Sequence, residues 1–229
     1  MRHERRFATA DALADALAGH LAGRLKDDIA SRGRASLVLS GGKSPVPMFE
    51  LLAAADLKWE KVDLTLADER LVPQDHASSN AGLLRRHLLV DRAVAANFVP
   101  LWKDAGGDPV KEAQEALAHL TRPFTAVVLG MGEDGHTASL FPGMPGLADA
   151  LDHRHPAVAI AVPGASGREP RVSLTLRTLT DAAEIILAIS GKTKRAVLER
   201  ARTEGSVEEL PVRAILGQGL APVDVYWSQ

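Results

Sequence analysis

The sequence holds no cysteine in 229 residues. Disulfides, thiolate nucleophiles and thiolate metal sites are therefore excluded, and the chain suits a reducing compartment. It also lacks an excess of charge of either sign. Its 27 Lys and Arg stand against 29 Asp and Glu, a formal net of −2. Nucleic acid or an anionic membrane as the main partner would call for a basic surface, so neither is expected, although a small basic pocket for an anion fits this balance. No apolar stretch approaches the ~18 residues that a bilayer span needs. The opening Met1-Arg-His-Glu-Arg-Arg6 leads into an Ala/Leu pattern broken by Asp11 and Asp15, which is no signal-peptide core. There is no His-x-x-x-His pair or comparable ligand cluster, so no metal site is expected. Interdomain linkers, internal repeats and low-complexity tracts are missing too. The expectation is a cytoplasmic protein, one domain over residues 1–229, monomeric or a small homo-oligomer, and large enough to bury a sizeable core.

What the chain does contain is a regular alternation. Leu13, Leu17, Leu21, Leu25 and Ile29 recur at steps of four and predict an amphipathic helix over 9–30, with Thr9 as N-cap. Ser36–Leu39 reads as a short buried strand stopped by Ser40-Gly41-Gly42, and a helical pattern resumes over 47–55. Residues 62–67 alternate as a strand that ends in a polar tip, Asp68-Glu69-Arg70. Ser78 or Ser79 opens a helix through Leu89, and a further helix covers 111–120. Strands are predicted at 124–129, 157–162, 171–176 and 185–189. Gly191 and a helix over 192–201 follow, then a last strand at 223–227, placed at an edge. The Gly, Pro and His-rich stretch 142–170 is the least regular. Strands that alternate with helices of 10 or more residues, several of them apolar almost throughout, predict a mostly parallel sheet covered on both faces.

Four strand ends carry candidate chemistry. In Ala126-Val-Val-Leu-Gly-Met-Gly-Glu-Asp-Gly-His136, an apolar run breaks into a glycine turn that delivers Asp134 and His136 together, with a short helix expected next. The carboxyl end of a parallel strand is where ligands bind, and a His beside a carboxylate can act as a general base near neutral pH. The plain alternative is a glycine turn with an exposed His. In Ser40-Gly41-Gly42-Lys43-Ser44-Pro45, glycines let backbone N–H groups approach a ligand and the following helix N-terminus favours an anion. It is not a Walker A loop, because Leu37 stands where that pattern needs glycine. A simple strand-to-helix turn with Pro45 near the first helical position is its alternative.

Asp68-Glu69-Arg70 offers acids beside a base, able to orient sugar hydroxyls or polarise a carbonyl, or else a solvated charge cluster. Ser79-Asn80 reads better as a cap than as a ligand contact. In Arg171-Val-Ser-Leu-Thr-Leu176, alternation puts Arg171, Ser173 and Thr175 on one face. Lys192 falls at a helix N-terminus, where a cation costs roughly 0.3–1 kcal/mol and a bound anion would offset that cost. A solvated Lys is the alternative, and Lys194 is given no role. Gly130-Met-Gly-Glu-Asp-Gly135 matches the dinucleotide pattern G-x-G-x-x-G by accident. Pro142 and Pro145 stop any long helix, and Val162-Pro163 stands where an acid should close the next strand. His20, His87, His119, His153 and His155 have no partnered spacing, while Met48, Phe49, Trp59 and Trp102 read as core or cover.

Taken in order, Leu39–Pro45, Ala67-Asp-Glu-Arg-Leu-Val-Pro73 with Ser79-Asn80, Gly130-Met-Gly-Glu-Asp-Gly-His-Thr-Ala-Ser-Leu-Phe-Pro142, Arg171–Leu176 and Gly191-Lys192 resemble the 6-phosphogluconolactonases, which group with the glucosamine-6-phosphate deaminases and isomerases. The resemblance runs through nearly the whole chain. It implies a single Rossmann-like three-layer α/β/α domain with a mostly parallel sheet and no metal or organic cofactor. The implied activity is hydrolysis of 6-phosphoglucono-1,5-lactone, a small sugar-phosphate lactone, in the oxidative pentose phosphate pathway. It implies His136 as base with Asp134 its neighbour, Gly41, Gly42, Lys43, Ser44, Arg171 and Lys192 around the phosphate, and Asp68 and Arg70 facing the sugar. Lys43-Ser44 departs from the family, which often has other small or polar residues before Pro45.

The sister deaminases carry an extra Glu a few residues after this His and an aromatic residue in place of Arg70. Here no acid lies between His136 and Asp149, which favours the lactonase. A sugar-phosphate sensor on the same scaffold would add a DNA-binding segment, and residues 1–35 supply only one helix.

Overall fold

The computed structural model describes residues 3–103, 106–165 and 167–229. Along the chain, β1 (Glu4–Phe7) and α1 (Ala10–Arg32) are followed by β2 (Ala35–Leu39), α2 (Val46–Ala53), β3 (Val62–Leu66) and β4 (Asp68–Arg70). Next come α3 (Asn80–His87), β5 (Asn97–Phe98), α4 (Pro109–Leu117), β6 (Ala126–Leu129), α5 (Leu147–Leu151) and β7 (Ala159–Val162). The rest is β8 (Arg171–Leu174), α6 (Leu176–Leu179), β9 (Ile185–Ser190), α7 (Lys192–Ala201), α8 (Val212–Gly217) and β10 (Val223–Ser228).

Seven strands form one parallel sheet in the order β1-β10-β9-β6-β2-β3-β5. Helices flank it, giving the three-layer, Rossmann-like α/β/α architecture. Every residue of β2, β3 and β6 is buried, as expected for a parallel sheet covered on both faces. Helix α1 forms where the leucine spacing put it. Thr9 accepts a hydrogen bond from the Ala12 amide at 3.1 Å, and Leu13, Leu17, Leu21 and Leu25 are buried. Gly33, at φ 78°, ends the helix by donating its N–H to the Ile29 carbonyl.

The order reverses between β2 and β6. From β2 the sheet grows through β3 to β5, and from β6 it grows the other way through β9 and β10. A crevice at the carboxyl ends of the two central strands follows from that topology. Ser40 and Gly130 stand at its lip, and the Ser40 amide donates to the Val128 carbonyl at 3.0 Å.

Several local expectations are corrected. β10 is not an edge strand, since Val225 pairs with both Glu4 and Leu187. The edge on that side is β1, whose short, charged Glu-Arg-Arg-Phe hides it from any apolar pattern, and such charge blunts edge-to-edge pairing. Asp68–Arg70 is not the tip of β3 but a separate strand in a three-stranded antiparallel sheet, β4-β8-β7. The short helix expected after His136 does not form. Thr137 and Leu140 close a reverse turn there, and the prolines at 142 and 145 hold off helix α5 until Leu147. Helix α8 was not anticipated: six residues behind Pro211 give too short a periodic pattern.

Candidate active site

A cleft of about 330 Å³ opens at the carboxyl ends of β2, β6 and β9. Its apolar floor includes Leu13, Leu17, Met48 and Met131. One wall is the 40–45 loop, which lies close against α3 because residue 41 has no side chain. A Cβ at Gly41 would fall 1.8 Å from Asn80 Oδ1. The Asn80 side chain is held in turn by donating to the Asp68 carbonyl at 2.8 Å. Helix α2 then starts without a side-chain cap, but Val46 donates its N–H to the Lys43 carbonyl at 3.3 Å and Pro47 has none to give, so an anion here would depend on the loop amides and side chains before the helix. Gly42, Lys43 and Ser44 line the cleft beside Ser40, whose hydroxyl oxygen is buried with no partner.

The opposite wall is the turn after β6. The Gly132 amide donates to the His136 carbonyl at 2.9 Å, and Gly135 adopts φ 79° to complete the loop. Asp134 Oδ1 accepts from the His136 amide at 3.1 Å and lies 2.5 Å from its Nδ1. A carboxylate can only accept, so this contact places a proton on Nδ1 and leaves the Nε2 lone pair free. Partial burial works to raise the Asp134 carboxyl, but the His136 amide and the charge of its ring outweigh it, and the group lies below the usual carboxylate range. The imidazole tilts against Phe141 with centroids 4.4 Å apart. His136 lines the cleft, and Asp134 stands behind it.

The antiparallel pairing of β4 with β8 sets Arg70 opposite Arg171 and Asp68 opposite Ser173. Like charges directly opposite on paired strands repel. Burial, followed by the charge of Arg70, lowers the Arg171 guanidinium from its ordinary value. Arg70 spends one N–H on the Ser78 carbonyl at 2.5 Å, yet the Nε of each arginine is buried with no partner. Two cations held side by side in the lining of the cleft make a site for an anion. Asp68 is buried, and its Oδ2 accepts from Ser139 Oγ at 2.5 Å.

Residues 8–227 match the family model for glucosamine-6-phosphate isomerases/6-phosphogluconolactonase. The chain belongs to this family. It is 42% identical over 227 residues to a 6-phosphogluconolactonase of Rhizobium meliloti (strain 1021), covering 97% of both chains. It is 45% identical over 206 residues to one from Pseudomonas putida, covering 89% of this chain and 84% of the other. In fold it is similar to the crystal structure of a 6-phosphogluconolactonase from Shewanella baltica OS155. There the TM-score is 0.94 at 38% identity, with 100% of this chain and 98% of that one covered.

Within this family member, most residues singled out in the sequence meet around one cleft: Gly41, Gly42, Lys43, Ser44, Asp68, Arg70, His136 and Arg171 all line it. Lys192 does not. It is exposed and outside the lining, whereas Lys194 lines the cleft. The reason is helical geometry. Helix α7 begins at Lys192, and two residues along a helix turn the side chain by about 200°. Val197, Leu198 and Ala201 are the buried face of α7, and Lys194 stands three and four residues before the first two. That apolar stripe was the signal in the sequence that singles out Lys194.

Glu69 faces away from the cleft chemistry. Its carboxylate accepts from the Asn80 and Ala81 amides at 2.7 Å each and so caps α3, with burial pushing its carboxyl up despite those bonds. Ser79 is the N-cap residue, accepting from the Gly82 amide at 3.0 Å. Asp68 is therefore the one carboxylate among the described lining residues. Among the described residues no group of three or more His, Asp or Glu is placed to hold a metal ion, and no helix is long and apolar enough to cross a membrane.

Proposed function

We propose that the chain hydrolyses 6-phospho-D-glucono-1,5-lactone to 6-phospho-D-gluconate, the lactone-opening step of the oxidative pentose phosphate pathway. The observation that carries this reading is the division of the cleft. One imidazole backed by a carboxylate stands in it with four cations (Lys43, Arg70, Arg171 and Lys194). A lactone is an activated ester, so its hydrolysis needs a positioned water, a base and a stabiliser for the oxyanion.

His136 Nε2 takes a proton from the water that attacks C1, while Asp134 at Nδ1 stabilises the imidazolium that forms. Arg70 or the amides of a glycine turn stabilise the tetrahedral oxyanion. The bond from C1 to the ring oxygen then breaks, and His136 returns its proton to that oxygen. The Ser40–Ser44 loop, Arg171 and Lys194, which lines the cleft where Lys192 does not, hold the phosphate. Gripping the remote phosphate fixes C1 in register and turns distant binding energy into orientation. The reaction calls for no organic cofactor. Residues 1–229 act as one lactonase domain on a small sugar phosphate in the cytoplasm, with no role for nucleic acid.

The isomerase chemistry also found in the family moves a proton between adjacent carbons and needs a free carboxylate. Asp68 is engaged by Ser139, and Glu69 caps α3. That arrangement favours hydrolysis. The test is lactone disappearance followed by coupling to 6-phosphogluconate dehydrogenase, with spontaneous hydrolysis subtracted. A rate no faster than the spontaneous one overturns the reading.

A further inference from the structure

Ser139 lies in the turn after His136 and is fully buried. The turn is tight: the Leu140 amide donates to the Thr137 carbonyl at 3.0 Å, and Ala138 takes a positive φ of 48°, a conformation that a residue with a side chain adopts only when its surroundings impose it. Those surroundings include the small antiparallel sheet. The Ser139 amide donates to Ser173 Oγ at 3.1 Å, and Ser173 is the cross-strand partner of Asp68.

The hydroxyl of Ser139 stands between two charges. It donates its one proton to Asp68 Oδ2 at 2.5 Å and accepts from Arg171 Nη1 at 3.3 Å. Asp68 Oδ2 and Arg171 Nη1 are themselves 3.8 Å apart, beyond hydrogen-bond reach. A carboxylate and a guanidinium this close and this buried would otherwise gain by closing into a direct forked pair. The two already attract as an ion pair at 3.8 Å, but a direct forked pair would in addition occupy donors that a phosphate needs. With the hydroxyl interposed, the Asp68 charge is met by an O–H, and Arg171 lines the cleft without a direct hydrogen bond to that carboxylate.

We propose that Ser139 is a positioning residue that holds Asp68 off Arg171, so that the guanidinium stays available to the substrate phosphate while the same turn carries His136. The inference rests on the lactonase reading for the identity of the anion, but its physics concerns any phosphate monoester or inorganic phosphate in this cleft. A serine with this role acts on phosphate affinity through Arg171 and does not touch the reacting atoms.

Inorganic phosphate binding to the full-length protein, measured by calorimetry without turnover, tests it. Ser139→Ala should weaken phosphate roughly tenfold or more and raise the KM for the lactone in step, with kcat changed less. Asp68→Asn alone should bind phosphate at least as well as the parent, because a neutral amide cannot cancel Arg171. The double variant S139A/D68N should recover most of the affinity that S139A loses. Unchanged phosphate affinity in folded S139A overturns the proposal, as does weaker binding in D68N or no recovery in the double variant. A parent protein that fails to bind phosphate overturns it as well. If the parent binds phosphate with this Ser139 dependence yet does not hydrolyse the lactone, this proposal stands and the lactonase reading fails.

Discussion

Asp134 Oδ1 and His136 Nδ1 lie 2.5 Å apart, joined across a turn only two residues long. The carboxylate also accepts from the His136 amide, so one side chain fixes both the loop and the tautomer. His136→Asn should therefore lower kcat by about 10²–10⁴, the usual worth of a general base, while the thermal melting point stays near that of the parent. Asp134→Asn should lower kcat by less, because the imidazole remains but loses the carboxylate that orients it. Wild-type turnover in His136→Asn, measured with the coupled lactone assay, would rule out the base assignment.

Gly132 has a role that its backbone conformation does not reveal. A Cβ built there would lie 2.2 Å from both Cε1 and Nδ1 of His136 and 2.7 Å from Asp134 Oδ1. The glycine leaves the space into which the dyad folds. Gly132→Ala must push the imidazole aside, and displacements of about 1 Å in a reacting group cost on the order of 10² in rate. We expect kcat to fall by about that factor with phosphate binding unchanged. Equal losses in both would mean that the whole cleft had shifted.

Much of this was legible in the chain. The leucine ladder of α1, the apolar strands and the glycine breaks at 40–42 and 130–135 gave the layers and put the loops at strand ends. The same glycines, with His136 between Asp134 and the prolines, marked the turn proposed to be catalytic. What the chain concealed depends on contacts distant in sequence. Nothing local reveals that Asp68 pairs with Ser173 or that Arg70 faces Arg171, because β4 and β8 meet only in the folded sheet. β1 stayed hidden for a different reason: an edge strand of Glu-Arg-Arg-Phe has no apolar alternation to read.

Lys192 and Lys194 stand two residues apart, and only Lys194 lines the cleft, which can be tested. Position at a helix N-terminus pointed to Lys192, but rotation about the α7 axis puts Lys194 in the cleft and Lys192 in solvent. Lys194→Ala should raise the KM for the lactone and weaken inorganic phosphate by about tenfold or more, the scale of one lost charge-assisted contact. Lys192→Ala should leave both within about twofold. The reverse pattern in the two variants would return the phosphate contact to Lys192.

The edge strand gives a prediction for acid stability. Glu4, in β1, accepts from Arg6 at 2.6 Å, from Arg195 at 2.7 Å and from Arg202 at 2.6 Å, so it ties the strand to helix α7. Burial works to raise its carboxyl, but the Arg195 and Arg202 hydrogen bonds and that of Arg6 hold it down at about 2, against an ordinary value of 4.5. A carboxylate whose folded value lies below its unfolded one adds stability that is complete above the unfolded value and disappears as pH falls through the folded one. Glu4→Gln should therefore cost about 1–2 kcal/mol at neutral pH, a figure discounted for partial exposure to solvent. That difference should shrink between about pH 4.5 and pH 2 and vanish below. Chemical denaturation of parent and variant across that range measures it directly. A stability gap that stays constant down to pH 2 would mean that packing, not the carboxylate charge, holds β1 against α7.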